Sequence, residues 1–175
     1  MDNLSIETTR LLLRRWQSRD IDPYAELCSD AEVMRWIGNG TTRNRDECAA
    51  AIEGFEKFWE QNGFGMFAVE LLENRELVGF TGLSVPSFLP EILPATEIGW
   101  RLKRRCWGLG YATEAAQASL SFGFRERALN RIVGIHQVGN KASARIMEKI
   151  GMTFYLETED PSCDRPVKVY EVFRE

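Results

Sequence analysis

The chain has 175 residues, of which 44% are hydrophobic and 27% are charged. These values are typical of a globular protein with a substantial core, so we expect one domain over residues 1–175. A net charge of −4 does not favour nucleic-acid binding, and no apolar run is long enough to cross a membrane.

The cysteine and histidine content argues against metal centres and disulfide scaffolds. The four cysteines, Cys28, Cys48, Cys106 and Cys163, are scattered and form no Cys-x-x-Cys pair. With His136 as the single histidine, a site built from several histidines is excluded, and we expect no bound metal. The N-terminal residues lack the pattern of a signal peptide, so we expect a reducing, cytoplasmic location.

The first half of the chain shows short strand and helix patterns. Asn44 followed by Glu47 resembles a capping box, and Asn62-Gly63 is a typical helix end. The predicted elements are a strand over Thr9–Trp16, a helix from Asp20 to Cys28, a helical turn over Ala31–Trp36, a helix with Cys48, Ile52, Phe55 and Trp59 on one face, and a hairpin of Phe64–Leu71 with Leu77–Val85.

Strands and helices alternate in the second half. The first half contains a predicted hairpin, and the second half has the order strand–helix–strand–helix. This order predicts a mixed sheet with helices on its faces. The predicted elements are a strand over Thr96–Leu102, a helix from Tyr111 to about Glu126, a strand over Arg131–Gln137, a helix over Lys141–Lys149, and strands over Thr153–Thr158 and Val167–Arg174.

A glycine-rich segment precedes the long helix. Gly108 and Gly110 allow backbone N–H groups to surround an anion without Cβ interference. The helix N-terminus adds free N–H groups and partial positive charge, so the segment predicts a phosphate-binding turn. A cationic rim is predicted beside it from Lys103, Arg104 and Arg105.

Two common phosphate motifs do not describe this turn. A P-loop requires a Lys-Ser or Lys-Thr pair, which does not follow these glycines. A dinucleotide fingerprint requires a third glycine where Thr113 stands, and an acid after the next strand, where Arg131–Gln137 carries none. What remains is Arg-x-x-Gly-x-Gly followed by Tyr-Ala-Thr-Glu-Ala.

A second motif, Asn-x-x-Ser-x-x-x-x-Glu-Lys-x-Gly, begins at Asn140. By itself it describes a helix with an asparagine N-cap and a stop at Gly151. Together the two motifs resemble the CoA-binding segments of the GNAT superfamily of N-acetyltransferases. The segments Glu7–Arg14, Val33–Trp36 and Val78–Leu83 resemble the branch that includes the ribosomal-protein N-terminal acetyltransferases of the RimJ and RimL type.

The resemblance implies an α+β fold of three layers (α/β/α). Its sheet is mixed and mostly antiparallel, with helices on both faces and a central parallel pair of strands that splays apart. It also implies acetyl-CoA as the acyl donor and no metal. The residues that the resemblance assigns to acetyl-CoA binding are Trp100, Leu102, Arg105, Cys106, Trp107, Gly108, Leu109, Gly110, Tyr111, Ala112, Asn140 and Ser143.

The implied reaction is direct attack of a primary amine on the acetyl thioester in a ternary complex. The acceptor is either a protein N-terminus, such as that of a ribosomal protein, or a small-molecule amine, and the resemblance does not choose between them. Neither nucleic acid nor a membrane is an expected partner, and the chain is expected to be a monomer or a homodimer.

The catalytic candidates follow partly from a departure from the family pattern. Many members use a tyrosine to protonate the leaving thiolate, but Met147 stands at that place and has no proton to donate. Ser143 is the candidate in the RimJ/RimL-like branch, with hydrogen bonding to sulfur or helix capping as alternatives. Glu97 is the candidate acceptor of the amine proton, directly or through water. The alternatives are a solvent-facing role for Glu97 and His136 as the base.

Three aromatic residues, Trp36, Trp59 and Phe64, are candidates to line an acceptor pocket, although helical spacing favours a core position for Trp59. The missing tyrosine keeps open a GNAT fold that binds CoA as a sensor or scaffold without catalysis. A nucleotide-binding protein is a third interpretation, and it predicts binding of ATP or NAD rather than CoA.

Overall fold

The computed structural model describes residues 4–175, so the first three residues of the predicted domain lie outside the described part. The strands are β1 (Ser5–Glu7), β2 (Leu11–Arg14), β3 (Met66–Leu71), β4 (Leu77–Ser84), β5 (Glu97–Leu102), β6 (Arg131–Gln137), β7 (Thr153–Asp160) and β8 (Arg165–Phe173). Within the described residues they form one sheet in the order β1-β2-β3-β4-β5-β6-β8-β7. All neighbours are antiparallel except β5 and β6, which run parallel.

The helices cover both faces of this sheet and are α1 (Ile21–Ser29), α2 (Ala31–Met34), α3 (Arg45–Asn62), α4 (Tyr111–Arg125) and α5 (Lys141–Lys149). Residues of α1, α2 and α3 pack with Phe80 of β4, whereas residues of α4 and α5 pack with Ile98 of β5. This three-layer arrangement confirms the predicted fold class. No helix among residues 4–175 combines the length and the apolar character needed to cross a membrane.

The structure corrects several predicted boundaries. In place of the strand predicted over Thr9–Trp16, the chain forms the shorter β2 and the separate β1. Ile6 is the single apolar residue of β1, so this edge strand lacks the alternation that would predict it. The turn predicted to reach Trp36 ends its helical part at Met34. At the C-terminus, β7 and β8 extend further toward each other than predicted, to Asp160 and from Arg165.

Helix α3 has the ends that its sequence predicts. The Asn44 Oδ1 atom accepts a hydrogen bond from the Glu47 N–H (2.9 Å), and Glu47 Oε2 accepts one from the Asn44 N–H (2.8 Å). The helix stops at Gly63, whose φ of 71° is left-handed and costs glycine no Cβ strain. The capping box and the glycine stop are therefore both confirmed.

The parallel strands β5 and β6 separate soon after they meet. Their ladder has two paired positions among the described residues, Glu97 with Val133 and Ile98 with Gly134. Strand β5 stays paired with β4 as far as Leu102, and β6 stays paired with β8. The sheet consequently opens into a gap between the C-terminal parts of β5 and β6, as the predicted splayed pair requires.

Gly79 of β4 lets the backbone of β5 approach closely. A Cβ added at Gly79 would lie 2.1 Å from the Arg101 carbonyl oxygen, whereas a Cβ added at Gly54 in α3 meets no atom within 4 Å. We expect Gly79→Ala to lower the free energy of unfolding by about 1–3 kcal/mol, the usual cost of forced overpacking. Gly54→Ala should raise it by about 0.5–1 kcal/mol, because alanine loses less entropy than glycine in a helix. Urea unfolding followed by circular dichroism measures both changes, and equal effects would contradict the close approach of the strands.

Candidate active site

The glycine-rich turn between β5 and α4 leaves backbone donors free at its centre. Gly108 and Gly110 have φ values of 74° and 83°, and Gly110 is the N-cap of α4 without a side-chain cap. The first N–H groups of α4 therefore lack an acceptor of the kind that a capping side chain provides. A Cβ added at Gly108 would point into open space, whereas one at Gly110 would lie 3.3 Å from Arg10 Nη2. The turn has the backbone conformation that anion binding requires.

Residues that precede β2 hold this turn from outside. The Glu114 carboxylate, in the first turn of α4, accepts hydrogen bonds from the Arg10 N–H (2.9 Å), Arg10 Nε (2.7 Å) and Thr8 Oγ1 (2.7 Å). Arg10 Nη1 also donates to the Leu109 carbonyl oxygen (2.9 Å), and its guanidinium lies 4.5 Å from the centroid of the Tyr111 ring. Partial burial raises the pKa of Glu114, but these hydrogen bonds outweigh it and lower the pKa overall. We call Thr8, Arg10 and Glu114 the loop brace.

Each side chain of the predicted cationic rim, residues 103–105, forms an ion pair with a carboxylate, and none of the three lines the cavity beside the turn. The pairs are Lys103 with Glu26 (2.7 Å), Arg104 with Asp30 (3.1 Å) and Arg105 with Glu76. The cationic side chains that line the cavity beside the turn are Arg101 of β5 and Arg145 and Lys149 of α5.

A cavity of about 360 Å³, the loop cavity, runs from the turn and the start of α4 to α5 and α2. The side chains of Arg105 and Leu109, predicted to bind the cofactor, do not line it. The other predicted cofactor-binding residues do: Trp100, Leu102, Cys106, Trp107, Gly108, Gly110, Tyr111, Ala112, Asn140 and Ser143.

A second cavity of about 370 Å³, the inner cavity, occupies the gap between β5 and β6. Its walls are mainly aromatic and aliphatic, and they include the titratable side chains of Glu97, His136 and Asp160. Ligands in the two cavities would meet at the start of α5. The residues that line both cavities are Trp36, Ile37, Trp100, Arg101, Asn140 and Ser143.

Asn140 and Ser143 lie at this junction because α5 begins there. Asn140 Oδ1 accepts a hydrogen bond from the Ser143 N–H (3.2 Å), which makes Asn140 the N-cap of α5. Capping engages one atom of the Asn140 amide and leaves its nitrogen for a ligand. Met147 lies one turn further along the same helix face and is 1% exposed.

Trp100 pairs with Thr81 of β4, but the gap leaves it without a paired position on β6. The Lys103 N–H donates to the Val78 carbonyl oxygen (2.8 Å), and hydrogen-bonded positions alternate along an antiparallel ladder. The backbone N–H and C=O groups of the odd-numbered residues of β5 therefore point toward β4. The N–H and C=O groups of Trp100 face β6 instead, where the parallel ladder has already ended. The Leu102 carbonyl oxygen accepts a hydrogen bond from Trp107 Nε1 (2.9 Å). Trp100 lines both cavities, so its N–H is the backbone donor that faces the junction.

Two titratable side chains of the inner cavity are strongly perturbed. Burial raises the pKa of Glu97 to about 8; a hydrogen bond with Ser84 opposes the shift and the charge of Asp160 adds to it. Burial lowers the pKa of His136, whose Nδ1 lies 2.9 Å from the Gln137 carbonyl oxygen and so carries the proton of the neutral ring. Glu97 is half-buried and lines the cavity rather than facing open solvent. With a pKa of about 8 it accepts a proton efficiently once the pH is high enough to ionise it.

The three aromatic candidates separate in the structure. Trp36 lines the inner cavity, whereas Trp59 belongs to the core, as its helical spacing favours, and donates to the Met66 carbonyl oxygen (2.9 Å). Phe64 packs against Phe58, with 5.6 Å between the ring centroids. Of the three predicted aromatic residues, Trp36 lines the inner cavity, whereas Trp59 and Phe64 do not.

Sequence reasoning does not identify Arg101 or Asp160 as site residues. Alternation along β5 was a usable signal for Arg101, since it places this residue on the same face as Glu97. Asp160 carries no such signal, because it enters the inner cavity only through the pairing of β7 with β8 beside β6.

Residues 10–153 match the family model of the acetyltransferase (GNAT) domain. The chain belongs to this family, whose members transfer an acetyl group from acetyl-CoA. It is therefore an acetyl-CoA-dependent acetyltransferase, as the resemblance of its two motifs implies.

This chain is also similar to individual acetyltransferases. YnaD of Bacillus subtilis, an uncharacterised N-acetyltransferase, is 34% identical over 85% of this chain and 82% of its own. A GNAT-family acetyltransferase from Bacillus anthracis has a TM-score of 0.80 at 28% identity, covering 97% of this chain and 98% of that one. The ribosomal L7/L12 α-N-protein acetyltransferase RimL, solved with coenzyme A, shares the fold with a TM-score of 0.80 at 16% identity, covering 98% of both chains.

Asn140 is both the N-cap of α5 and a lining residue of the two cavities. Substitutions can separate its contribution to stability from its contribution to ligand binding. We expect Asn140→Asp to keep the cap and the free energy of unfolding, but to weaken acetyl-CoA binding at least tenfold because it lacks the amide donor. Asn140→Ala should in addition lose about 1 kcal/mol of stability. Isothermal titration with acetyl-CoA and urea unfolding measure the two effects separately.

The N-cap of α3 provides the matched control. Asn44 caps its helix in the same way (Oδ1 to the Glu47 N–H, 2.9 Å) but lines neither cavity. Asn44→Ala should cost about 1 kcal/mol of stability and leave acetyl-CoA affinity unchanged. Parental acetyl-CoA affinity in Asn140→Asp would restrict Asn140 to its capping role.

Proposed function

We propose that residues 1–175 act as one catalytic domain that transfers an acetyl group from acetyl-CoA to a primary amine by direct attack in a ternary complex. The observation that carries this proposal is the junction of the two cavities at Trp100, Asn140 and Ser143. Direct attack requires both reactants at one point at the same time, and holding them there removes several kcal/mol of barrier.

The loop cavity takes acetyl-CoA. The glycine turn and the start of α4 bind the pyrophosphate through backbone N–H groups, and Arg145 and Lys149 add positive charge from α5. The pantetheine arm follows the open backbone at Trp100 and brings the thioester to the Asn140 amide. Arg105 and Leu109 take part through the backbone of the turn, since their side chains line neither cavity.

The reaction is an acyl transfer with two proton movements. A neutral amine attacks the thioester carbon and forms a tetrahedral oxyanion, which the Trp100 N–H stabilises. The C–S bond then breaks and yields an amide and the CoA thiolate. Glu97 takes the proton lost by nitrogen, directly or through water, and Ser143 donates a hydrogen bond or a proton to the departing sulfur. A protein N-terminus, which is the acceptor in RimL's name, and a small-molecule amine both present the required group.

A CoA-binding sensor without catalytic activity is the second candidate, and Met147 favours it. This residue occupies the place of the family's proton-donating tyrosine and cannot donate a proton. Ser143, one turn earlier on the same helix and at the cavity junction, is why we favour an active enzyme. The sensor predicts binding of CoA without thiol release in the presence of any amine.

Acetyl-CoA should raise the melting temperature of the protein, because it binds the native state, and amines should release CoA thiol. Gly108→Val should abolish the shift in melting temperature, since Gly108 lines the loop cavity and the bulkier residue would compete with the pyrophosphate for the turn. Gly151→Val is the matched control: Gly151 has a φ of 85°, an added Cβ there also meets no atom within 4 Å, and it lines neither cavity. Both variants carry the same backbone strain, so an equal shift with acetyl-CoA in the two would contradict the assignment of the turn.

The raised pKa of Glu97 predicts how activity and stability depend on pH. If Glu97 is the base, kcat/KM should rise with pH along an acidic limb with an apparent pKa near 8, and Glu97→Gln should lower kcat and remove this limb. For stability, the folded state retains a proton that the unfolded chain loses above its ordinary pKa. The free energy of unfolding should therefore fall, relative to Glu97→Gln, as pH rises from about 5 to about 8.

Steady-state kinetics and urea unfolding at several pH values measure both effects. Amines of low pKa, which are already neutral at the assay pH, should lose less activity in Glu97→Gln than strongly basic amines. Parental kcat with an unchanged pH profile in this variant would remove Glu97 from the mechanism.

A further inference from the structure

Arg101 of β5 carries a positive charge that no carboxylate in residues 4–175 neutralises. Its guanidinium lies 5.0 Å from the centroid of the Phe80 ring, and Nη1 approaches Tyr24 Oη (3.4 Å) and Cys28 Sγ (3.6 Å). Burial raises the pKa of Tyr24, so this phenol stays neutral. The Nε atom of Arg101 is buried without a hydrogen-bond partner. The side chain is thus held in place, but its charge is not compensated.

Arg14 shows how this chain neutralises the charge of a buried arginine when no ligand is involved, although its Nε, like that of Arg101, has no hydrogen-bond partner. Its Nη1 donates to Asp20 (2.8 Å) and its Nη2 to Glu70 (2.5 Å). Removing a charge from water without such a partner costs free energy, so proteins rarely leave one uncompensated. Arg101 retains its charge in the wall of both cavities, where a bound anion can pair with it.

The position of the guanidinium favours the inner cavity as the place of that anion. Phe80, over which the guanidinium lies, lines the inner cavity but not the loop cavity. Glu97 and Arg101 share one face of β5, and because they are four positions apart along the strand, about 13 Å separates their Cα atoms. The inner cavity therefore presents a cation near the junction, carboxyl groups further in, and apolar walls between them.

Resting on the acetyltransferase function proposed above, we propose that the acceptor is a small amino carboxylic acid with an apolar side chain. Its carboxylate pairs with Arg101, its amine faces the acetyl thioester, and its side chain contacts Phe80 and Phe88. A guanidinium matches a carboxylate with two parallel hydrogen bonds. A peptide N-terminus carries a neutral amide at the same place and would leave Arg101 uncompensated. The cavity volume of about 370 Å³ also lies in the range of small-molecule sites.

The test compares acceptors that differ only in the carboxylate. Thiol release at saturating acetyl-CoA is measured with the full chain on leucine, methionine and phenylalanine, on their carboxamides, and on peptides that begin with the same residues. We expect the parent to prefer free acids over carboxamides on the order of 100-fold in kcat/KM, because a site built to pair a polar group rejects the analogue without it. In Arg101→Gln the ratio of kcat/KM for the free acid to kcat/KM for its carboxamide should fall to near one, and this ratio cancels any effect of the substitution that both acceptor classes share.

Arg101→Lys separates charge from folding, since it keeps the cation and should retain part of the preference for the free acid. Equal parental rates on acids and carboxamides, a preference for the peptides, or an equal loss on both acceptor classes in Arg101→Gln would each overturn this inference. In those three cases thiol release still supports the acetyltransferase function. Stabilisation by acetyl-CoA without thiol release from any amine, polyamines included, would overturn both proposals.

Discussion

The separation of β5 from β6 is the constraint on which the whole site depends. Within residues 4–175 the two strands share two paired positions, and beyond Ile98 each continues its ladder with its other neighbour, β4 or β8. Backbone groups that leave a ladder must find another partner. At Leu102 the Trp107 indole provides one, whereas at Trp100 the donor remains for a ligand. A longer β5–β6 ladder would close the gap that forms the inner cavity and would also engage the Trp100 N–H. The cavity and its backbone donor therefore have the same structural cause.

Because the strands diverge, the glycine turn has to be held by residues from elsewhere in the chain. The loop brace does this with Arg10 and Glu114, which are 104 positions apart. The Arg10 side chain is 43% exposed, and ion pairs at such sites contribute about 1 kcal/mol or less to stability. Its importance is therefore geometric rather than energetic. Three hydrogen bonds to Glu114 and one to the Leu109 carbonyl oxygen leave the turn little freedom to rotate its N–H groups away from the loop cavity.

Local signals in the sequence are enough to predict α3, α4 and α5, because caps and glycine stops act within one or two helical turns. They also identify the turn at Gly108 and Gly110, whose left-handed conformations are a local property. The ion pairs of the predicted cationic rim depend on residues far away in the sequence. Neighbouring positive charges at Lys103 and the two residues after it do not reveal which carboxylates the fold brings to them. In the same way, Asp160 reaches Glu97 only through the order of strands in the sheet.

The difference between local signals and contacts made by the fold explains why the sequence motifs specify the acyl donor better than the acceptor. The loop cavity is formed largely by two continuous stretches, residues 100–113 and 140–149, so its chemistry is readable as sequence. The inner cavity draws on the segment after α2, on β3, β4, β5, β6 and α5, on the connection before β5, and on β7, β8 and the turn between them. No short motif can describe a pocket assembled from so many separate segments. Its specificity must be inferred from charges such as that of Arg101, which the fold leaves without a partner.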